Sequence, residues 1–160
     1  MNVAKNKLLQ CSDNIMVLCG DMPLLSAETL KKLVTLFQKE KPAIAVLTVE
    51  FDEPNKYAFG RIVRDAKGNI KSIIEQKNAL EKEKKIKESN SGVYIFNPKW
   101  LWENISKIKK DSFSGEYYLT DLIEMAINQN KKVIGLKSKN EKEFLGINTK
   151  EQLEEVEKII

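Results

Sequence analysis

The sequence predicts an α/β domain, a mostly parallel sheet layered with helices and broken by one antiparallel hairpin excursion. Three observations carry this reading. Residues 15–19 and 43–49 are continuous apolar runs of strand length, the pattern of strands buried on both faces in a parallel sheet. A segment with apolar residues at helical spacing lies between them, so strand, helix and strand follow within about 35 residues, the size of a βαβ unit. Further on, two strand-like segments flank a turn-rich pentapeptide, which signals a hairpin. With 160 residues, 42% of them apolar, the chain is expected to form a single domain over 1–160 with a sizeable core.

Taken in order, Ile15-Met16-Val17-Leu18-Cys19 ends at Gly20-Asp21-Met22-Pro23, a strand followed by a loop. Ser26 caps the next segment with Glu28 in its first turn, and Leu30, Leu33, Val34 and Phe37 recur on one helical face that stops near Lys41-Pro42. After the second strand, Arg61-Ile62-Val63-Arg64 and residues 70–74 flank Asp65-Ala66-Lys67-Gly68-Asn69 as the hairpin. Residues 80–88 alternate Lys and Glu without an apolar stripe and read as a solvated helix or loop. Val93-Tyr94-Ile95-Phe96 is a strand, and Pro98 opens a helix carrying Trp100, Leu101, Ile105 and Ile108. Tyr117 and Tyr118 read as core, and Thr120 or Asp121 caps a helix whose face is Leu122, Ile123, Ala126 and Ile127. Residues 133–136 form a last strand, and Leu153, Val156 and Ile160 a closing helix.

Composition excludes whole classes of chemistry. There is no histidine and there are two cysteines, Cys11 and Cys19, which removes imidazole acid–base catalysis, a Ser-His-Asp triad and a Cys/His zinc site. Both cysteines read as small apolar residues. A net charge of +4 from 27 basic and 23 acidic residues, mixed along the chain, lacks the concentrated basicity of a nucleic-acid binder. No apolar run approaches membrane-spanning length and the N-terminus lacks a signal-peptide stretch, so no membrane partner and a cytoplasmic location are expected.

Carboxylates, amides and a hard metal ion remain. Asp21, just past the end of a buried strand, either faces the crevice where open α/β sheets bind ligands or organises the turn before Pro23. Asn148 either caps the last helix or faces a ligand. Thr149-Lys150-Glu151-Gln152 already fits a capping box, which frees Asn148 for the second role. Glu75 ends a strand and Asn90-Ser91-Gly92 opens another, so both are surface or turn residues or offer hydrogen bonds to a polyhydroxylated substrate.

Six stretches then form a pattern: Leu18-Cys19-Gly20-Asp21-Met22-Pro23-Leu24, Phe59-Gly60-Arg61-Ile62-Val63, Ile73-Ile74-Glu75-Gln76-Lys77-Asn78-Ala79, Asn90-Ser91-Gly92-Val93-Tyr94, Gly115-Glu116-Tyr117-Tyr118-Leu119-Thr120-Asp121 and Gly146-Ile147-Asn148. In that order they resemble the later motifs of the sugar-1-phosphate nucleotidyltransferases, most nearly the uridylyltransferase domain of the bacterial bifunctional enzyme that makes UDP-N-acetylglucosamine. The resemblance implies a Rossmann-like, three-layer nucleotide-diphospho-sugar transferase fold. It also implies attack of N-acetylglucosamine-1-phosphate on the α-phosphorus of UTP, with UDP-N-acetylglucosamine and pyrophosphate as products. It assigns Mg²⁺ to the positions of Asp21 and Asn148, which should sit at the carboxyl ends of neighbouring strands. Substrate contacts fall to Gly20, Gly60, Glu75, Asn90 and Thr120, the last four lining one concavity beside Asp21. No general base is needed, because metal and positioning suffice.

The family's glycine-rich G-G-x-G-T-R-M loop, its Pro-Lys pair and its G-T-x-H-A motif do not occur in the 160 residues, and the lead 55–58 into Phe59-Gly60 is longer than usual. On that comparison the chain is expected to be an N-terminally truncated domain, inactive alone. The alternatives are a split enzyme completed by a separate N-terminal chain and a non-catalytic sugar-phosphate-binding module. Truncation should also leave the strand at 15–19 as a bare sheet edge, expose Val17, Leu18 and Ile44, and invite self-association or a complementing chain.

Overall fold

Alternation between two buried faces explains why the central strands read as unbroken apolar runs. The computed structural model describes residues 5–8, 14–112 and 115–159, so Cys11 lies outside the described residues. The chain runs α1 (Lys5–Leu8), β1 (Ile15–Val17), α2 (Ala27–Glu40), β2 (Ile44–Glu50), β3 (Arg61–Arg64), β4 (Ile70–Ile74), α3 (Glu81–Lys84), β5 (Glu88–Phe96), α4 (Pro98–Asn104), α5 (Asp121–Asn128), β6 (Val133–Ser138) and α6 (Lys150–Glu157). Ile44 and Val46 of β2 share one core with Trp100 and Leu101 of α4 and Leu122 and Ile123 of α5. Ala45, Leu47 and Val49 share a second with Leu33 and Phe37 of α2 and with Phe144. The sheet is therefore the middle of three layers, each side holding its own core.

Local signals act where the sequence placed them. Ser26 Oγ accepts the Thr29 N–H at 3.2 Å and Lys41 closes α2 in the left-handed region with φ 46°. In the β3–β4 turn, Asp65 Oδ1 accepts the N–H of Lys67 and of Asn69, each at 2.8 Å, and Gly68 supplies φ 82°.

The sheet order is β4-β3-β5-β2-β6, with β1 also against β5. β1, β2 and β3 each run antiparallel to β5, and β2 pairs with β6 in parallel. Four strands thus share one direction, yet most pairings are antiparallel because β5 runs between the others. An apolar run reports burial on both faces and says nothing of direction, so the expectation of mostly parallel pairing becomes a mixed sheet.

Other expectations shift with burial. β1 stops at Val17, and Leu18 is 48% exposed, as expected of that edge. β1 pairs with no second strand among the described residues. Ile44, expected to be exposed, is fully buried, since β2 lies inside the sheet between β5 and β6. Tyr117 is 62% exposed and Tyr118 half-buried, so the pair is not core, and in α6 Val156 is buried while Leu153 is exposed. The Lys/Glu stretch at 80–88 is a short exposed helix, α3, except at its end, where Glu88 is buried and begins β5.

Candidate functional site

Asp21 is fixed by its main chain. Its carbonyl accepts the Ile147 N–H at 2.8 Å, which ties the turn after β1 to the segment that leaves β6. Asn148 Nδ2 then stands 3.4 Å from Asp21 Oδ2, across a sequence separation of 127. The two do not come from neighbouring strands, because β5 and β2 lie between β1 and β6. Residues 139–148 make the return, anchored by the fully buried Phe144 in the core on the α2 side. A side chain at Gly146 would place its Cβ 3.2 Å from Asp21 Oδ2 and 3.4 Å from Asn148 Nδ2, so that glycine keeps the space beside both open.

The capping box forms as read from the sequence. Thr149 Oγ1 accepts the Gln152 N–H at 3.3 Å and Gln152 Oε1 accepts the Thr149 N–H at 3.1 Å. Gln152 Oε1 also takes the Asn148 N–H at 2.6 Å, so the backbone of Asn148 is engaged while its side chain is presented at a cavity of about 410 Å³. Asp21, Lys56, Ser91 and Cys19 line the same cavity. Across the shared wall at Ala58 lies a second cavity, about 540 Å³, lined by Glu75, Lys77 and Tyr118.

The residues assigned to the sugar form one connected group around Glu75. Thr120 Oγ1 donates to Glu75 Oε1 at 3.1 Å, and a Cβ at Gly60 would lie 3.5 Å from Glu75 Oε2. The Gly60 carbonyl accepts the Asn90 N–H at 2.8 Å. Asn90 Oδ1 is in turn taken by the Gly92 N–H at 3.1 Å and the Tyr94 hydroxyl at 2.9 Å. Of the four, Glu75 lines the second cavity, while Gly60, Asn90 and Thr120 line neither of the two cavities. Thr120 occupies the cap position of α5, but its hydroxyl goes to Glu75 and caps nothing. Gly20 is exposed, with nothing within 4 Å of where its Cβ would be.

Sequence reading offered Ser91 together with Asn90 but missed Lys56, Tyr94 and the placement of Cys19. Tyr94 closes the Asn90-Ser91-Gly92-Val93-Tyr94 stretch, and across an irregularity in β5 at Gly92 its hydroxyl still reaches Asn90. Burial pushes the Tyr94 phenol far above its ordinary range, so it stays a neutral donor that orients Asn90. Cys19, taken as a small apolar residue, is exposed, and its thiol sits 3.7 Å from the Gly92 carbonyl.

That contact leads to an expected result. Gly92 has φ 78°, and a Cβ there would approach Cys19 Sγ to 2.7 Å. Gly92→Ala should therefore cost about 1–3 kcal/mol in backbone strain plus the clash. Adding Cys19→Ala should restore the clash component alone, a non-additivity read from urea unfolding of both single variants and the pair. Strict additivity would show that Sγ is not what an added methyl meets.

Chemically, Asp21 offers a hard oxygen donor beside an opening that a side chain at Gly146 would fill, and Asn148, whose amide nitrogen faces Asp21 here, carries a second oxygen on the same side chain, a set that fits an ion keeping most of its coordination sphere for phosphate and water. Among the described residues no group of three or more His, Cys, Asp or Glu could hold a metal, and no helix is long and apolar enough to cross a membrane. A model of the nucleotidyl transferase family matches residues 1–143, a span that includes Asp21 and stops short of Asn148. The chain belongs to that family.

Its relatives include the bifunctional protein GlmU of Bacillus licheniformis, 38% identical over 154 residues, covering 96% of this chain and 33% of that one. The GlmU of Cupriavidus metallidurans is 44% identical over 152 residues, 95% of this chain and 33% of that one. The chain thus spans about a third of the length of these relatives. Among solved structures, a Bacillus anthracis protein assigned as a glucose-1-phosphate thymidylyltransferase aligns with a TM-score of 0.71 at 20% identity, covering 98% of this chain and 57% of that one. A CMP:2-keto-3-deoxy-manno-octonic acid synthetase complexed with CTP aligns at 0.64 and 14% identity, covering 98% and 67%. The likeness to these two extends the nucleotidyltransferase fold over nearly the whole chain.

Proposed function

We propose that the chain forms the metal and sugar-phosphate side of a sugar-1-phosphate uridylyltransferase whose acceptor is N-acetylglucosamine-1-phosphate. One observation carries the reading: Asp21 and Asn148, 127 residues apart in sequence, converge to 3.4 Å beside a glycine that leaves room for a ligand. In this reading Asp21 and Asn148 hold Mg²⁺. The ion, when bound, supplies charge neutralisation for two phosphate groups brought together. A phosphate oxygen of the sugar phosphate forms the new bond to the α-phosphorus of UTP, and the α–β bridging bond breaks with pyrophosphate leaving.

The chain's own groups do the positioning. Glu75 has one oxygen engaged by Thr120, which leaves the other to accept from a ring hydroxyl. Asn90, buried with its carbonyl oxygen fixed by two donors, lines neither cavity and supports the site through its backbone bond to the Gly60 carbonyl. No side chain here must take up a proton, which suits a site without histidine.

The anion cradle for a triphosphate has no counterpart among these residues: the 160 positions contain no G-G-x-G-T-R-M stretch. Loss of a single preorganised donor commonly lowers a rate by about 10²–10³, so this polypeptide alone is proposed to bind without turnover. Incubated with UTP, Mg²⁺ and N-acetylglucosamine-1-phosphate, it should release no more pyrophosphate than its Asp21→Ala variant. Turnover abolished by that substitution would overturn the inactive reading. Among the described residues β1 pairs with β5 alone, which favours a second reading, completion by another polypeptide that bears the loop. Pyrophosphate release that appears only when such a polypeptide is added would establish it.

A further inference from the structure

We infer that Lys56 is the cation that receives the ligand's phosphate at the Asp21–Asn148 cavity, and that Glu155 holds its ammonium in the free protein. The inference rests on the sugar-phosphate reading above and names the residue that reading lacks. Among the described residues lining the cavity, Lys56 is the one cation. Charge counting shows the need for it. Asp21, a divalent ion and a phosphate monoester of charge about −2 leave an excess of roughly one negative charge, which a single ammonium offsets.

The loop that carries Lys56 is tied down by a buried arginine. Arg61 is fully buried and has no carboxylate partner among the described ion pairs. Its guanidinium donates to the carbonyl of Phe59, to that of Pro54 at 2.5 Å and to Asn55 Oδ1 at 3.2 Å, and its Nε has no partner. Burying a cation without a counter-charge is costly, and here the cation spends its donors on the segment flanking Lys56. Lys56 itself donates its backbone N–H to the Glu53 carbonyl at 3.0 Å. The backbone is fixed while the ammonium, on a half-exposed side chain, is free to swing.

What holds that ammonium now is weak. Glu155 Oε1 lies 3.6 Å from Lys56 Nζ, beyond ordinary hydrogen-bond range, with the two side chains 52% and 49% exposed. Tyr57 acts on the same ammonium as well, through a side-chain hydrogen bond that outweighs the pull of Glu155 and with its ring 5.2 Å away. Glu155 stands one turn after Gln152 on α6, the helix whose first turn orders Asn148. One helix therefore presents both a proposed metal ligand and the carboxylate that occupies Lys56. Phosphate entering the cavity replaces one oxyanion partner of Lys56 with another, more highly charged one.

The test measures binding of N-acetylglucosamine-1-phosphate in Mg²⁺ by calorimetry to the full chain and to three variants, with melting temperatures recorded for each. Lys56→Ala should weaken the sugar phosphate about 10–100-fold, the worth of one hydrogen bond to a charged group, and leave the melting temperature unchanged. Lys56→Arg should keep most of the affinity. Glu155→Gln should tighten binding several-fold, because the ammonium no longer has a carboxylate to leave; a merely structural pair predicts no such gain. If the wild-type chain binds and Lys56→Ala binds equally well, or Glu155→Gln weakens binding, the assignment of Lys56 is overturned while the proposed function stands. If the wild-type chain binds no sugar phosphate, the proposed function fails and the assignment falls with it.

Discussion

Replacing Asp21 with alanine should remove magnesium-dependent binding of N-acetylglucosamine-1-phosphate. Partners that only orient a metal ligand are worth about 10–100-fold in metal affinity, so loss of a direct carboxylate ligand should cost at least about 100-fold. Asn148→Ala, which removes a neutral oxygen, should cost less. The folded chain should hardly notice the first change. Asp21 is half-buried and takes part in none of the described ion pairs, and its link to Ile147 is through the backbone carbonyl, which alanine keeps. Stability should therefore move by about 0.5 kcal/mol or less while binding collapses, the separation expected of a group placed for a ligand. Calorimetric titrations with Mg²⁺ and with EDTA, alongside urea unfolding, test both halves. Sugar phosphate that still binds Asp21→Ala in a magnesium-dependent way would remove the metal from Asp21.

How much of this was legible in the sequence depends on what each signal reports. Apolar spacing and caps report local burial, so α2, its Ser26 cap, the β3–β4 hairpin and the Thr149–Gln152 box were all readable in advance. Strand direction is not a local property. β5 is buried on both faces by its neighbouring layers, so its apolar end gives no hint that it runs against β1, β2 and β3. Within the site, the Asp21 and Asn148 positions stood out through short motifs, and the structure brings their side chains together. The route by which Asn148 arrives, a return segment pinned by Phe144 past two intervening strands, depends on tertiary packing that no short motif encodes. Lys56 was passed over for a related reason. It lies in the stretch where the chain departs from the family pattern, and the buried Arg61 that positions it looks, in sequence, like any strand arginine.

Glu88→Gln should destabilise the fold by about 3 kcal/mol at neutral pH. A run of alternating Lys and Glu suggested a solvated face, yet its last glutamate turns inward and gathers partners from three other strands. Thr48 of β2 donates to Oε1 at 2.7 Å, Arg64 of β3 reaches both oxygens at 2.8 and 2.5 Å, and Lys137 of β6 stands 3.1 Å from Oε2. Gly135 makes the approach possible, since a Cβ there would lie 3.1 Å from Arg64 Nη2 and 2.9 Å from Ile70. Burial by itself would raise the carboxyl's pKa, but the hydrogen bonds from Arg64, Thr48 and Lys137 outweigh it and bring the value down from 4.5 to about 2. A folded-state pKa below the unfolded one gives stability that is complete above the unfolded value and is lost as pH falls through the folded one. The difference corresponds to about 3 kcal/mol, present above roughly pH 4.5 and gone near pH 2. Glutamine keeps the shape but leaves Arg64 and Lys137 facing each other without the charge that joined them. Urea unfolding across a pH series should show wild type and variant far apart at pH 7 and converging as pH approaches 2. A gap that stays constant over that range would mean that the variant lost packing, and that the charge of Glu88 contributes nothing to holding β3 and β6 to the centre of the sheet.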